Sequence, residues 1–192
     1  DGSIWFATQN GIYRYDEHTF AQYGKADGMP GEFILTSAVS RDGSVWFGAG
    51  GVSGKTKFRA FTSRITPGRG QDGQSPFDRF EREPSMSSKG SFSFAPDAEG
   101  LMWMCWFDST GSGLGYYDPQ AESRGEKPFR VFTGLDGLES MSTFAVYLDA
   151  ARNLWVSRGG APPILYHFNV DEFRRGNRAV HRMPVETNEI VG

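Results

Sequence analysis

Histidine and cysteine are the side chains of this chain that most readily do chemistry, because they ligate metals and act as bases or nucleophiles. The three histidines are His18, His167 and His181, and none has a second histidine or a cysteine two to four residues further on. Cys105 lies in an apolar stretch, where a buried and unreactive thiol is expected. The sequence therefore predicts no metal centre and no catalytic residue, and a single cysteine allows no internal disulfide.

Acidic and glycine-rich motifs do not predict a cofactor site either. Each Asp–Gly pair brings one carboxylate, whereas Ca²⁺ takes six to eight oxygen ligands. The stretch Gly111-Ser-Gly-Leu-Gly115 leads into a predicted strand and not into the helix that a dinucleotide loop requires. We therefore predict that the chain has no cofactor.

Charge and hydropathy exclude several classes of protein. The net charge of the 192 residues is −3, without a block of like charges, so nucleic-acid binding is not expected. No apolar run approaches the roughly 18 residues of a membrane helix. A basic stretch at 55–69 could bind an anion, but five cations spread over it are more typical of a solvated strand and loop: Lys55, Lys57, Arg59, Arg64 and Arg69.

A tryptophan that follows a tight turn recurs four times. The copies read Asp1-Gly-Ser-Ile-Trp5, Asp42-Gly-Ser-Val-Trp46, Glu99-Gly-Leu-Met-Trp103 and Ala151-Arg-Asn-Leu-Trp155, at spacings of 41, 57 and 52 residues. A period of this length is typical of one four-stranded propeller blade. We predict that the tryptophans pack between adjacent blades and do not form a sugar-stacking surface.

Each copy fits a four-stranded meander, and the turn Arg41-Asp42-Gly43-Ser44 predicts a type I′ hairpin within it. A second anchor, Asp27-Gly28-Met29 and Asp136-Gly137-Leu138, begins 19 residues before Trp46 and Trp155. Two anchors at matched spacing predict an all-β fold and favour a β-propeller of about four blades of four-stranded antiparallel meanders over a β-sandwich or another meander.

The pattern resembles the propeller repeat of bacterial two-component regulator sensors. Asp97-Ala-Glu-Gly100-Leu-Met-Trp103 fits the first part of that repeat, Gly11-Ile-Tyr-Arg-Tyr15-Asp16 the next, and Thr133-Gly-Leu-Asp136-Gly137-Leu138 the last. Three features depart from it. Arg152 stands where the turn glycine belongs, Pro162-Pro163 lie in a loop, and an insertion is predicted around 62–75.

The resemblance implies one propeller domain over 1–192. We expect blades at 1–23, 33–80, 90–132 and 141–183, with the start of a next blade at 187–192. Copy one begins at its turn without a first strand, so we expect a fragment of a six- to eight-bladed ring. The alternative is a four-bladed ring that closes through the C-terminal segment.

Propellers usually bind ligands on the face where the loop into the first strand and the loop between the second and third strands meet. This topology predicts a ligand site that combines polar side chains with aromatic ones. Its candidate residues are Gln9, Asn10, Glu32, Phe33, Trp106, Asp108, Glu139, Met141 and Arg158.

The resemblance implies a non-catalytic, ligand-sensing input domain in the periplasm or outside the cell. A small molecule or oligosaccharide is the expected ligand, and association through propeller edges or as a dimeric sensor is expected. One alternative is an enzyme similar to streptogramin lyases, which rely on histidine and magnesium near the channel. Here no histidine falls in a channel-face loop. A second alternative is a protein-interaction scaffold that uses the same face.

Overall fold

The computed structural model describes residues 2–29, 31, 33–53, 57–66, 69, 75–80, 90–108, 111–132, 143–158, 164–177 and 179–184. Within these ranges, only the backbone is described at 49–53, 57–60, 79, 107–108, 111–112, 144 and 184. The described residues are almost entirely β-strands and turns. No helix among them is long and apolar enough to cross a membrane.

The strands form four sheets in chain order. Blade 1 contains β1 (Ile4–Thr8), β2 (Gly11–Tyr15) and β3 (Phe20–Tyr23), and blade 2 contains β4 (Ile34–Val39), β5 (Val45–Ser53), β6 (Lys57–Ile65) and β7 (Phe77–Arg79). Blade 3 contains β8 (Gly90–Pro96), β9 (Met102–Asp108), β10 (Gly111–Tyr117) and β11 (Phe129–Val131). Blade 4 contains β12 (Thr143–Leu148), β13 (Asn153–Arg158), β14 (Ile164–Asn169) and β15 (His181–Pro184).

Every sheet is an antiparallel meander in which strands adjacent in the chain are adjacent in the sheet. The first strands of blades 2, 3 and 4 contact one another in order, β4 with β8 and β8 with β12. Meanders set side by side through their first strands have the architecture of a β-propeller. The predicted fold class is confirmed.

The hydrophobic core lies between adjacent blades. On one face of each sheet, the tryptophan belongs to a row of side chains that lie opposite one another on neighbouring strands. We call this row the tryptophan row. These rows are Trp5–Arg14–Ala21, Ala38–Trp46–Arg64–Asp78, Ala95–Trp103–Tyr116–Arg130 and Tyr147–Trp155–His167–His181.

Each tryptophan row of blades 2 and 3 packs against the opposite face of the next blade. Trp46 lies in one cluster with Met102, Tyr117 and Phe129 of blade 3, and Trp103 contacts the ring of Phe168 in blade 4. Trp46 and Trp103 are fully buried. Inter-blade packing is therefore confirmed for these two tryptophans.

The tight turns differ from the predicted type I′ hairpin. Gly43 N–H donates to the Ser40 carbonyl at 2.9 Å, and only Gly43 in this turn has a positive φ, at 81°. A type I turn followed by one left-handed residue is a three-residue loop with a bulge, which also suits the twist of a hairpin. The same loop recurs at Gly100 and at Arg152, whose φ values are 93° and 66°.

The predicted insertion at 62–75 begins inside a strand. Residues 62–65 belong to β6 and are buried, because Thr62, Ser63 and Arg64 face neighbouring strands and blade 3. Residues 62–65 are therefore not part of an added loop. Pro162 and Pro163 lie outside the described residues.

Two short helices follow the third strands of blades 3 and 4. Helix α1 (Pro119–Ser123) begins after Asp118, whose carboxylate accepts hydrogen bonds from Gln120 N and Ala121 N. Helix α2 (Val170–Arg174) begins after Asn169 in the same way. Neither helix was predicted from the sequence, and both lie at the end of the blades that carries the tight turns.

Candidate functional site

The alternation of strand direction gives the propeller two faces. The turn face carries the tight turns at 40–44, 97–101 and 149–152 together with α1 and α2. The loop face carries the ends of the second strands and the starts of the first strands. The described candidate residues chosen from the sequence belong to the loop face by this topology.

Gln9 and Asn10 form the exposed turn between β1 and β2. The backbone N–H of Asn10 donates to Thr8 Oγ1 at 3.1 Å, which leaves the two side chains at the surface. Phe33 directly precedes β4 and is 41% exposed. Arg158 ends β13 and is half-buried.

Trp106 has a structural partner at the end of β9. Its Nε1–H donates to the Leu114 carbonyl at 3.2 Å, and its ring covers Gly113, where an added Cβ would lie 2.5 Å from the ring. Asp108 ends the same strand, and only its backbone is described. Glu32, Glu139 and Met141 lie outside the described residues. Strand direction thus brings the six described candidates to one face, and their role in binding stays a prediction.

Sequence reasoning missed a buried ionic cluster between blades 2 and 3. The guanidinium of Arg64 lies over the rings of Trp46, Phe80 and Tyr117, at 5.4, 5.4 and 5.0 Å from their centroids. Arg64 is 9% exposed. The expectation of a solvated basic stretch is therefore wrong for Arg64, which is desolvated by three aromatic rings.

Three polar partners compensate the buried charge of Arg64. Its Nε donates to Asp78 Oδ2 at 2.8 Å, its Nη2 to Glu122 Oε2 at 3.2 Å, and its Nη1 to the Tyr117 hydroxyl. Burial and the hydrogen bond to Glu122 raise the pKa of Tyr117, although Arg64 acts in the opposite direction. The tyrosine therefore stays protonated and links the two blades.

A pocket of about 300 Å³ opens beside this cluster on the turn face, between blades 2 and 3. Trp46, Arg64 and Tyr117 form part of its lining, and Arg41 and Asp42 lie among its other residues. Arg64 and Asp42 already have protein partners. The pocket is therefore lined by groups that stabilise the contact between blades 2 and 3.

A second pocket, of about 360 Å³, lies between blades 3 and 4 on the same face, and we call it the blade 3–4 pocket. It is lined by Glu99, Leu101, Trp103, Tyr116, Asp118, Gln120, Phe173 and Arg174. Arg174 joins the blades, because its Nη1 lies 3.2 Å from Glu99 Oε2 and its Nη2 lies 3.4 Å from Asp97 Oδ2.

Arg152 joins the same two blades from the tight turn of blade 4. Its Nε and Nη2 donate to the Asp171 carboxylate at 2.9 to 3.0 Å, and its Nη2 also donates to Glu99 of blade 3. The hydrogen bonds from Arg152 lower the pKa of Asp171. The side chain thus compensates a left-handed backbone position that glycine fills in the other turns.

We expect Arg152→Gly to be more stable than Arg152→Ala by about 1 kcal/mol, because both variants lose the ion pairs but only glycine accepts the positive φ without strain. Urea unfolding of the two variants measures the difference. An alanine variant as stable as the glycine variant would show that the backbone at this turn is unstrained.

Cys105 and the two histidines of blade 4 have structural contacts. Cys105 is fully buried, and burial raises the pKa of its thiol to about 12, although a hydrogen bond with Thr143 acts in the opposite direction. His167 stacks between Trp155 and His181, with ring centroids at 4.5 and 4.9 Å. The described residues contain no group of three or more side chains that could hold a metal ion.

Two solved structures share this fold over 98% of the chain. One is the extracellular domain of BT4673 from B. thetaiotaomicron, assigned to a one-component system, with a TM-score of 0.65 and 16% identity. The other is PorZ of Porphyromonas gingivalis, an essential surface component of the type-IX secretion system, with a TM-score of 0.62 and 16% identity. The present chain covers 22% of the length of the BT4673 chain and 26% of the length of the PorZ chain.

The structural likeness agrees with the resemblance found in the repeat. The chain shares the propeller fold of that extracellular domain and of PorZ. At 16% identity this agreement concerns the fold, since sites and ligands are not carried by architecture. No protein-family model and no curated protein matches the sequence.

Proposed function

We propose that this protein is a non-catalytic, ligand-sensing propeller that acts in the periplasm or outside the cell as the input part of a regulator. The observation that supports this proposal is the fold that nearly the whole chain shares with the extracellular domain of BT4673. The described residues add no metal cluster and no reactive thiol that would favour an enzyme.

The loop face is the proposed site, and a carbohydrate is the proposed ligand. The exposed Gln9–Asn10 turn, the half-buried Arg158 and the exposed ring of Phe33 offer amide, guanidinium and aromatic groups at this face. Such groups suit the hydroxyls and C–H faces of sugars. The proposed site combines residues from three separate blades.

Calorimetric titration with a panel of neutral and acidic oligosaccharides tests this proposal. We expect saturable binding by the wild-type protein, and binding weakened about tenfold by Arg158→Ala, which removes one charged hydrogen-bond donor. Arg175→Ala, a change at an exposed arginine on the turn face, is the matched control. Equal affinity of both variants would contradict a loop-face site.

A protein-interaction scaffold is the second candidate. PorZ, which shares the fold, is a component of a secretion system. For the present chain this alternative predicts capture of a protein partner and no response to the oligosaccharide panel. Loss of that capture in Arg158→Ala would assign it to the loop face.

We also propose that further blades flank the four described ones in a larger ring. The apolar face of the blade 1 sheet exposes Ile4, Phe6 and Phe20. In blade 2, Val45 and Phe77 hold the same register as Ile4 and Phe20, and they are buried against blade 1. Sheet faces of this kind are normally covered.

When the 192-residue chain is studied alone, we expect these faces to cause concentration-dependent self-association. Phe20→Ser should shift sedimentation-velocity profiles toward the monomer, because it removes an aromatic ring that is 67% exposed. Thr19→Ser, a change in the adjacent turn, is the control. A wild-type chain that stays monomeric at high concentration would contradict the expectation.

A further inference from the structure

The sheet of blade 1 contains three described strands, whereas the sheets of blades 2, 3 and 4 contain four each. The position that is not filled is that of the first strand, because β1 carries Trp5 as the second strands of the other blades carry their tryptophans. One edge of β1 therefore has no pairing partner among the described residues. An unpaired strand edge is a template for the addition of another strand.

The surface of blade 2 beside this edge is apolar and uncovered. The row Val39–Val45–Ile65–Phe77 runs across the face of blade 2 that is turned toward blade 1. Val45, Ile65 and Phe77 are buried in the cluster that the two blades share, but Val39 is 55% exposed. Val39 belongs to the first strand of blade 2, so it lies beside the place that a first strand of blade 1 would occupy.

The contact between blades 3 and 4 shows the same position when it is covered. Leu148 holds the register of Val39, because it lies opposite Leu154 as Val39 lies opposite Val45. Blade 3 has a first strand, β8, which contacts β12 of blade 4. Leu148 is half-buried against the cluster between these blades. The exposure of Val39 thus coincides with the unfilled position in the neighbouring blade.

The backbone at Gly2 indicates how a first strand would be connected to blade 1. Gly2 lies three residues before Trp5 and has a φ of 75°. The left-handed residues of the tight turns in the other blades also lie three residues before their tryptophans; they are Gly43, Gly100 and Arg152. Glycine adopts this conformation without strain. Blade 1 therefore contains the end of a tight turn of the kind that joins a first strand to a second.

The three complete turns close with the same backbone hydrogen bond. In each, an N–H group donates to the carbonyl of the fourth residue further on, at 2.9 to 3.0 Å. The donors are Ser40, Asp97 and Asp149, and the acceptors are Ser44, Leu101 and Asn153. Ser3 holds the acceptor position in blade 1, so the equivalent donor is a residue that precedes Asp1. A strand joined through this turn runs antiparallel to β1 and lies along its open edge.

We propose that blade 1 takes up an apolar first strand from the polypeptide directly ahead of Asp1, and that this strand pairs with β1 and covers Val39 of blade 2. The register of the other blades fixes one of its side chains. The first-strand residues opposite the tryptophans precede them by eight positions; they are Ala38, Ala95 and Tyr147. The residue eight positions before Trp5 therefore belongs to the tryptophan row of blade 1. That row faces blade 2, since the ring of Trp5 contacts Phe47.

Closure of a four-bladed ring through the C-terminal segment is the other source of such a strand. A segment that arrives from the C-terminus pairs with β1 without passing through the turn at Gly2. It therefore gives no reason for the left-handed φ of Gly2, or for the sequence Asp1-Gly2-Ser3 that repeats Asp42-Gly43-Ser44. The turn favours the preceding residues. This inference concerns blade 1 alone and depends neither on ligand binding nor on the further blades proposed above.

Cysteine labelling tests the proposal. Val39→Cys places an accessible thiol on β4, and the native Cys105 is fully buried, so the introduced thiol is the one that reacts with iodoacetamide under native conditions. The 192-residue chain is compared with the same chain extended by the residues, about ten, that precede Asp1 in the full reading frame, enough for a turn and a strand. We expect the extension to slow the labelling about tenfold or more, because the strand must open before the thiol reacts. Tyr147→Cys, at a position that is 67% exposed on β12, is the matched control and should react equally fast in both chains.

A second variant supplies a first strand of known structure. Because Asp1-Gly2-Ser3 repeats Asp42-Gly43-Ser44, a copy of residues 34–41 can be placed directly before Asp1. We expect this graft to protect Val39→Cys and to slow hydrogen exchange of the β1 amides. The change Ala38→Asp within the copied strand should abolish both effects, because it places an unpaired charge against blade 2.

Three results would overturn the proposal. The first is a Val39→Cys thiol that stays equally reactive when the native extension is present. The second is protection by added C-terminal residues without the N-terminal extension, which would assign the strand to ring closure. The third is protection in the 192-residue chain that rises with protein concentration, which would assign the open edge to a second copy.

Discussion

The Arg64→Met variant is expected to lose about 3 kcal/mol of unfolding free energy, because removing one member of a buried ionic cluster leaves the others uncompensated. Asp78 is 12% exposed at its side chain and would keep its ion pair with Arg69 and the hydrogen bond from Thr66, while the Tyr117 hydroxyl would keep its hydrogen bond to Glu122. Chemical denaturation followed by tryptophan fluorescence measures the loss.

Two further variants test whether the loss of stability comes from the ionic cluster. Arg182→Met replaces an exposed arginine of β15 and should change stability by less than about 0.5 kcal/mol. Arg64→Met/Asp78→Asn should be more stable than the sum of its two single changes predicts, because the two residues interact directly. An Arg64→Met protein as stable as the wild type would show that the cluster does not hold blades 2 and 3 together.

Trp103→Ala is expected to cost about 3–5 kcal/mol, as for other fully buried tryptophans. Its ring contacts Phe132, Phe168 and Phe173, so the change opens a cavity across the contact of blades 3 and 4. Trp155→Ala is the matched comparison, since Trp155 holds the same register in blade 4 but is only half-buried. We expect it to cost about 1 kcal/mol in the isolated chain.

The same pair of variants tests the larger ring. If a further blade covers blade 4 in the full-length protein, Trp155→Ala should become as costly there as Trp103→Ala. A difference between the two variants that is the same in the isolated chain and in the full-length protein would contradict a covering blade.

The sequence predicted the propeller fold because its signals are local. A tight turn and a tryptophan within five residues locate each second strand, and Trp5, Trp46, Trp103 and Trp155 all lie in such strands. The bulged turns were not distinguished from type I′ hairpins, because Asp–Gly favours both until the backbone angles are known. Helices α1 and α2 have five residues each, too few for a helical period to be visible.

The ionic cluster could not be predicted from the sequence, because its members come together only through the fold. Arg64 binds Asp78, Tyr117 and Glu122, which lie 14, 53 and 58 residues further along the chain.

The central claim is that this propeller binds a ligand without transforming it. The most direct measurement incubates the protein with the oligosaccharide that binds best in the titration and then recovers that oligosaccharide for mass spectrometry. We predict saturable binding and an unchanged ligand after many equivalents have been exchanged. A ligand that is cleaved or modified in proportion to protein concentration, or no binding by any member of the panel, would contradict the claim.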